Sequence, residues 1–352
     1  MQTGNTVFRR RNPANTSHSQ TAPRAVTALF DAARPESRTT RSEWSERHGH
    51  DPAAAFPAGA RQPDRRGAGR PHRPGARAGR RLRRCAVANA LVCLHASAGS
   101  GRQWSALAGS IGDRYLVHAP DLGGGTTRNS LDEDVAIAGS AIATAGAPVH
   151  LVGHSYGGAV ALLAALRDPG AVASLVLYEP VLFWLLRNDA RGPGFGSERS
   201  AQAWAEIRAV ADGLAADYAA GRASKAARDF VDYWSGPGAW DGLGARQQQT
   251  VTQRMPGVLS NFDCLSAESV PLAAIAKLPM PVMWLGGSET REPPLRVGEL
   301  LGAALPQTVR YTLPGVGHMG PLTHARLVNT LIAGFVLAKR PRQVVPAWPK
   351  AA

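Results

Sequence analysis

Residues 148–166 leave little freedom to the chain that contains them. Pro148 opens a short apolar run, Val149 to Val152, with the length and β-branched content of a buried strand. Gly153-His154-Ser155-Tyr156-Gly157 follows, and Gly158 to Leu166 (GAVALLAAL) then has helical composition. A strand that becomes a helix across one G-x-S-x-G must turn sharply. The positions two before and two after the serine can carry almost no side chain, and Gly153 and Gly157 meet that need. Such a turn exposes the serine Oγ above a sheet, at a helix N-terminus that favours developing negative charge. Ser155 is therefore a candidate nucleophile. The alternative is a glycine-rich strand-to-helix turn with an idle serine.

The rest of the body repeats the alternation. Strand signals fall at 87–94 (VANALVCL), 115–119, 148–152, 173–178 (ASLVLY), 281–285 (PVMWL) and 308–313. Helical signals fall between them at 103–111, 133–145, 158–167 and 294–305, with a closing helix at 322–339. Strands that are apolar throughout, separated by helices, predict a mostly parallel sheet covered on both faces, an α/β fold. Residues 182–278 interrupt the pattern. They carry helical stretches at 200–220 and 222–234, then Gly/Pro/Trp-rich turns at 235–244, and no strand. An insertion there lies over the carboxyl ends of the strands, where open α/β sheets bind ligands, and reads as a helical cap. Its alternative is a set of extra helices packed at the sheet edge.

With these pieces in order, residues 86–340 resemble the α/β-hydrolase fold superfamily. The resemblance implies a Ser–acid–His triad and a cap after the sixth strand of the family's sheet. It assigns the base to His318, in the loop Leu313-Pro314-Gly315-Val316-Gly317-His318 after the last strand. For the acid, the family's position after the penultimate strand is occupied by Glu289, in Gly286-Gly287-Ser288-Glu289. Glu179, at the tip of strand 173–178, is the alternative. The oxyanion donors implied are the backbone N–H of Tyr156 and one from His95-Ala96-Ser97-Ala98-Gly99, which is similar to the family's H-G-x-x-G loop. Ala96 replaces the usual glycine, and Ser97 takes the donor position. His95 and His154 are expected to be structural, as is the Asp121-Leu122-Gly123-Gly124-Gly125 turn, and His324 is expected at the surface. Trp104, Trp184, Trp234 and Trp240 either line the pocket or pack in core and cap.

The implied activity is a serine hydrolase acting on a small apolar ester or a related acyl or C–C bond, with no cofactor and no metal. Two readings compete: a cofactor-free haloperoxidase-like perhydrolase with the same triad, and a non-catalytic ligand-binding homologue. The family also begins with an antiparallel hairpin, whose place here is taken by Arg/Gly/Pro-rich sequence that cannot pair as strands, so the expectation is either a sheet truncated at one edge or a lost N-terminal coding sequence.

Charge separates a tail from this body. The 352 residues carry a formal charge of +14, but residues 1–84 hold 18 Arg, no Lys and 6 acidic residues. The remainder, with 22 basic and 20 acidic side chains, is nearly neutral. Residues 1–84 have too little apolar surface to offset chain ordering and are expected to be a disordered, non-native extension; residues 341–352 form a second tail. A polyanion-binding arm or a targeting peptide is the functional alternative for the first tail. Twin-arginine export is set aside because no apolar stretch follows Arg9-Arg10. The folded body is expected to bind a small-molecule substrate, without a nucleic-acid or membrane partner. Cys85, Cys93 and Cys264 form no disulfide framework, which fits a reducing, cytoplasmic setting. Cys93 reads as a small buried hydrophobe.

Overall fold

A computed structural model describes residues 90–111, 114–123, 130–192 and 195–338. Both expected tails, and the first residues of the strand expected at 87–94, lie outside the described residues.

Six strands form one sheet: β1 (Ala90–Leu94), β2 (Leu116–His118), β3 (Val149–His154), β4 (Val172–Tyr178), β5 (Val282–Gly287) and β6 (Val309–Leu313). Their order is β2-β1-β3-β4-β5-β6, and every pairing is parallel. The near-continuous apolar strands follow from burial on both faces. Ala90, Val92 and Leu94 of β1 join one core, whereas Leu91 and Cys93 join the other. β4 divides in the same way, Leu175 and Leu177 against Val176 and Tyr178. The first core is closed by α2 (Leu131–Ala145) and α3 (Tyr156–Arg167), the second by α1 (Ser105–Ile111) and α11 (Ala325–Leu337). A capping box starts α2: the Ser130 hydroxyl accepts from Glu133 N–H while the Glu133 carboxylate accepts from Ser130 N–H. Among the described residues β2 is one edge of the sheet, and Leu116 on it is 62 % exposed.

From β1 the chain runs outward to β2, then returns to lay β3 on the other side of β1. The loops leaving β1 and β3 therefore part from one another at the carboxyl edge. Such a switch point is where open α/β sheets form a crevice. Between β4 and β5 lie α4 (Phe183–Asp189), α5 (Phe195–Ala219), α6 (Ala223–Ser235), α7 (Ala245–Ala267) and α8 (Leu272–Ile275). Helices α5 and α6 are the two expected stretches. The 23-residue α7 was not expected, because Pro256-Gly257 near its middle reads as a stop. Burial of Met255, Val258, Leu259 and Phe262 offsets the hydrogen bond that Pro256 cannot make. Helix α9 (Glu292–Ala304) joins β5 to β6, and the closing helix is in two pieces, α10 (Gly320–Thr323) and α11, because His324 leaves helical geometry at φ −128°, ψ 39°. Among the described residues no helix is long and apolar enough to cross a membrane.

Three histidines in this framework make stability pH-dependent. Burial pushes the His150 imidazole down to about 4, and His95 and His154, both fully buried, are also lowered by desolvation. The native state holds these rings neutral, while the unfolded chain protonates them near the ordinary 6.5. Between those values the unfolded state binds more protons, so stability is lost as pH falls from about 6.5 toward 4. Each fully coupled ring contributes a slope of about 1.4 kcal/mol per pH unit. Urea denaturation at pH 7, 6 and 5 should show the loss steepening below 6.5; a flat profile between pH 7 and 5 would contradict it.

Candidate active site

Ser155 is the residue between β3 and α3. Its backbone has φ 55° and ψ −118°, a region that residues with a Cβ rarely enter. The strain is held by its neighbours: Ser155 N–H donates to Tyr178 O, and Ser155 O accepts from Gly158, Ala159 and Val181 N–H. The two motif glycines are required by close approach. A Cβ on Gly157 would lie 2.5 Å from the carbonyl oxygens of Leu94 and His95, and one on Gly153 would strike Gly157 O.

His318 Nε2 is 2.9 Å from Ser155 Oγ, and its Nδ1 is 2.7 Å from Glu179 Oε2. All three side chains are buried. Because the carboxylate can only accept from Nδ1–H, Nε2 is left as acceptor for the serine hydroxyl. Glu179 follows β4 directly, and a left-handed backbone (φ 40°) aims its carboxylate at the ring. Gly287 N–H donates to its Oε1 and Thr290 Oγ1 to its Oε2, each at 2.7 Å.

The acid expected at Glu289 needs correction. Glu289 is exposed, and its carboxylate accepts from Ser288 Oγ. Its N–H is fixed to Val316 O, which ties its backbone to the His318 loop while the side chain points outward. The fold brings Glu179, not Glu289, to His318.

The His318 loop is anchored from below. Tyr178 Oη donates to Gly317 O at 2.8 Å, and His154 Nε2 donates to His318 O at 2.9 Å. Burial raises the Tyr178 phenol and lowers the His154 imidazole, so both stay neutral. Trp234 of α6 covers the His318 ring, with centroids 4.1 Å apart. Of the four tryptophans considered from sequence, Trp234 alone lines the cleft over Ser155; Trp104, Trp184 and Trp240 are buried. His324 is exposed.

The loop after β1 forms a turn closed by Gly99 N–H to Ala96 O, with Ala98 at φ 57°. His95 holds its base: Nε2 accepts from Leu122 N–H at 2.9 Å while Nδ1 donates to Ala96 O. Asp121 accepts from Gly101 N–H at 2.7 Å. Ser97 and Ser155 face one cleft, of about 730 Å³ including its open mouth. Phe183, Phe230, Val231, Val251, Phe262 and Leu265 make its walls apolar. Tyr156 begins α3, where the helix dipole favours an anion beside Ser155.

Residues 91–331 match the family described as the alpha/beta hydrolase family. The chain belongs to that family. The expected fold and hydrolase-type enzyme follow from membership. A pimeloyl-[acyl-carrier protein] methyl ester esterase of Methylococcus capsulatus is 30 % identical over 258 residues, 70 % of this chain and 94 % of that protein. A protein of the same name from Chromobacterium violaceum is 28 % identical over 242 residues, 66 % and 89 % of the two chains. Among solved structures, an esterase from Rhodococcus sp. ECU1013 superposes with a TM-score of 0.54 at 20 % identity, covering 71 % of this alpha/beta hydrolase and 91 % of the other chain.

Besides the apolar walls of the cleft, three polar residues around this alpha/beta hydrolase site were not foreseen. Thr290 follows directly on Glu289, and only the placement of Glu179 gives it a role. Arg254 and Asn261 lie on α7, whose interior Pro-Gly concealed the helix.

Proposed function

We propose that this protein is a serine hydrolase that cleaves a carboxylic ester with an apolar acyl group. The hydrogen-bonded chain from Ser155 through His318 to Glu179, at the floor of an apolar cleft, carries the reading. Ser155 Oγ attacks the ester carbonyl as His318 Nε2 takes its proton. Glu179 orients the ring and stabilises the imidazolium that forms. The tetrahedral oxygen receives hydrogen bonds from the N–H groups of Tyr156 and Ser97. His318 then returns the proton to the departing alcohol, leaving an acyl-Ser155. A water activated by the same histidine attacks that acyl group, and the acid leaves. The curated relatives named as methyl ester esterases support an ester as the bond broken. The apolar walls support binding of the acyl chain by burial, at about 25 cal/mol per Å² removed from water.

A fluorophosphonate probe tests the reading. The full-length protein should label covalently at Ser155 and hydrolyse short- and medium-chain p-nitrophenyl esters. A folded protein that neither labels nor turns over any ester would overturn it.

A further inference from the structure

Helix α7 grips the turn formed by residues 96–99 at three points. Arg254 Nη1 donates to Ala98 O at 2.7 Å and to Gly99 O at 2.8 Å, and Asn261 Nδ2 donates to Ser97 Oγ at 2.9 Å. The two residues are seven positions apart, two helical turns, so they leave the same face of α7. Their target needs support. Ala98 occupies the left-handed region at φ 57°, where a Cβ is unfavourable, and one hydrogen bond, Gly99 N–H to Ala96 O, closes the turn.

Neither side chain is explained by packing alone. Arg254 is half-buried and directs its guanidinium at neutral carbonyls, without a carboxylate ion pair among the described residues. Its nearest acid in electrostatic terms, Asp121, already accepts from Gly101 N–H. Desolvating a cation against uncharged acceptors is unfavourable unless the geometry it fixes is needed. Asn261 is 4 % exposed, lines the cleft and leaves its Oδ1 without a hydrogen-bond partner. A half-satisfied buried amide is likewise unfavourable.

We propose that Arg254 and Asn261 are positioning residues that hold the Ser97 N–H in place for the oxyanion formed on Ser155. Helix α7 of the insertion thus braces the loop that supplies one of the two oxyanion donors. This rests on the reading of Ser155 as nucleophile and the Ser97 N–H as donor. It also explains how the loop keeps its shape with alanine at 98 in the left-handed region: contacts from α7 supply what glycine flexibility does not.

The test uses full-length Arg254→Met, Arg254→Lys, Asn261→Leu and Ser97→Ala, the last keeping the N–H but removing the Oγ. For each folded variant, kcat and KM are measured on p-nitrophenyl butyrate, with the inhibition constant of an alkyl trifluoromethyl ketone, whose serine adduct bears the oxyanion. Expected is a 10- to 100-fold fall in kcat for Arg254→Met and Asn261→Leu, with KM within threefold. The inhibition constant should rise by the same factor. Arg254→Lys should recover part of kcat. Ser97→Ala should reproduce Asn261→Leu, and the double variant should be no worse than either. Unchanged kcat, or a rise in KM alone, in variants of an active wild type overturns the proposal and leaves the hydrolase reading intact. A wild type without labelling or turnover overturns both. If Arg254→Met does not fold, Arg254→Lys and Ser97→Ala decide through the same parallel between kcat and inhibition.

Discussion

Ser155→Ala is expected to lower kcat on a p-nitrophenyl ester by about 10⁵- to 10⁶-fold while KM changes little. The substitution isolates the hydroxyl. Alanine carries the same Cβ as serine, so the strained backbone at φ 55° is neither relieved nor worsened. The apolar walls that bind the acyl chain are untouched. What is lost is the covalent route, and with it the acyl-enzyme. The proposed oxyanion donors, the N–H groups of Tyr156 and Ser97, remain, so a rate some 10³-fold or more above that in water should persist. His318→Ala should fall by a similar factor, and the double variant no further, because nucleophile and base act as one unit. Steady-state kinetics with active-site titration checks this. A loss of less than tenfold in Ser155→Ala would place the chemistry elsewhere.

The fold was legible because its strands are buried on both faces. Val149 to Val152, Ala173 to Tyr178 and Pro281 to Leu285 are apolar but for His150 and Ser174, and no solvent-facing sheet asks for that pattern. Helix α7 was hidden for a local reason. Pro256-Gly257 is unfavourable in an isolated helix, and only tertiary burial of Val258, Leu259 and Phe262 keeps the chain helical through it. The same local reasoning ran the last helix straight through His324, where the chain in fact bends to bring Met319 and Leu322 to the cleft.

In the site, Ser155 and His318 were readable because each lies in a loop whose glycines answer a geometric demand. The partner of His318 was not. Two carboxylates end neighbouring strands, and the family's usual position for the acid points to Glu289, with Glu179 as the alternative. The choice is made by strand register and backbone angle. Tyr178 pairs with Leu285, which puts Glu179 one residue beyond the end of the ladder, at φ 40° and beneath the His318 loop. Glu289, two residues past the last β5–β6 pair, is turned to solvent by the bond from its N–H to Val316 O. Arg254 and Asn261 were out of reach for a related reason: a contact between an inserted helix and a loop some 160 residues earlier has no sequence pattern.

Glu179→Gln is expected to reduce kcat/KM by about 10³- to 10⁴-fold, and Glu289→Gln to leave it within about twofold. The hydrogen bonds around Glu179 explain the size of the first effect. As a carboxylate it accepts at both oxygens, from Gly287 N–H on one side and from Thr290 Oγ1 and His318 Nδ1 on the other. Glutamine keeps the shape but has one acceptor oxygen. If that oxygen stays with the Gly287 N–H, whose donor direction is fixed by the backbone, the amide NH₂ faces His318. The ring must then accept at Nδ1 and carry its proton on Nε2, the nitrogen that should take the proton from Ser155. If the amide flips, two donors meet at Gly287 and a buried N–H loses its partner, at about 1–3 kcal/mol. Either state removes the negative charge that stabilises the imidazolium. Glu289 has no such role to lose, since its side chain is exposed and bonded to Ser288. Kinetics on the two variants, with urea midpoints to establish that both fold, separates the carboxylates. A larger loss in Glu289→Gln than in Glu179→Gln would reverse the assignment.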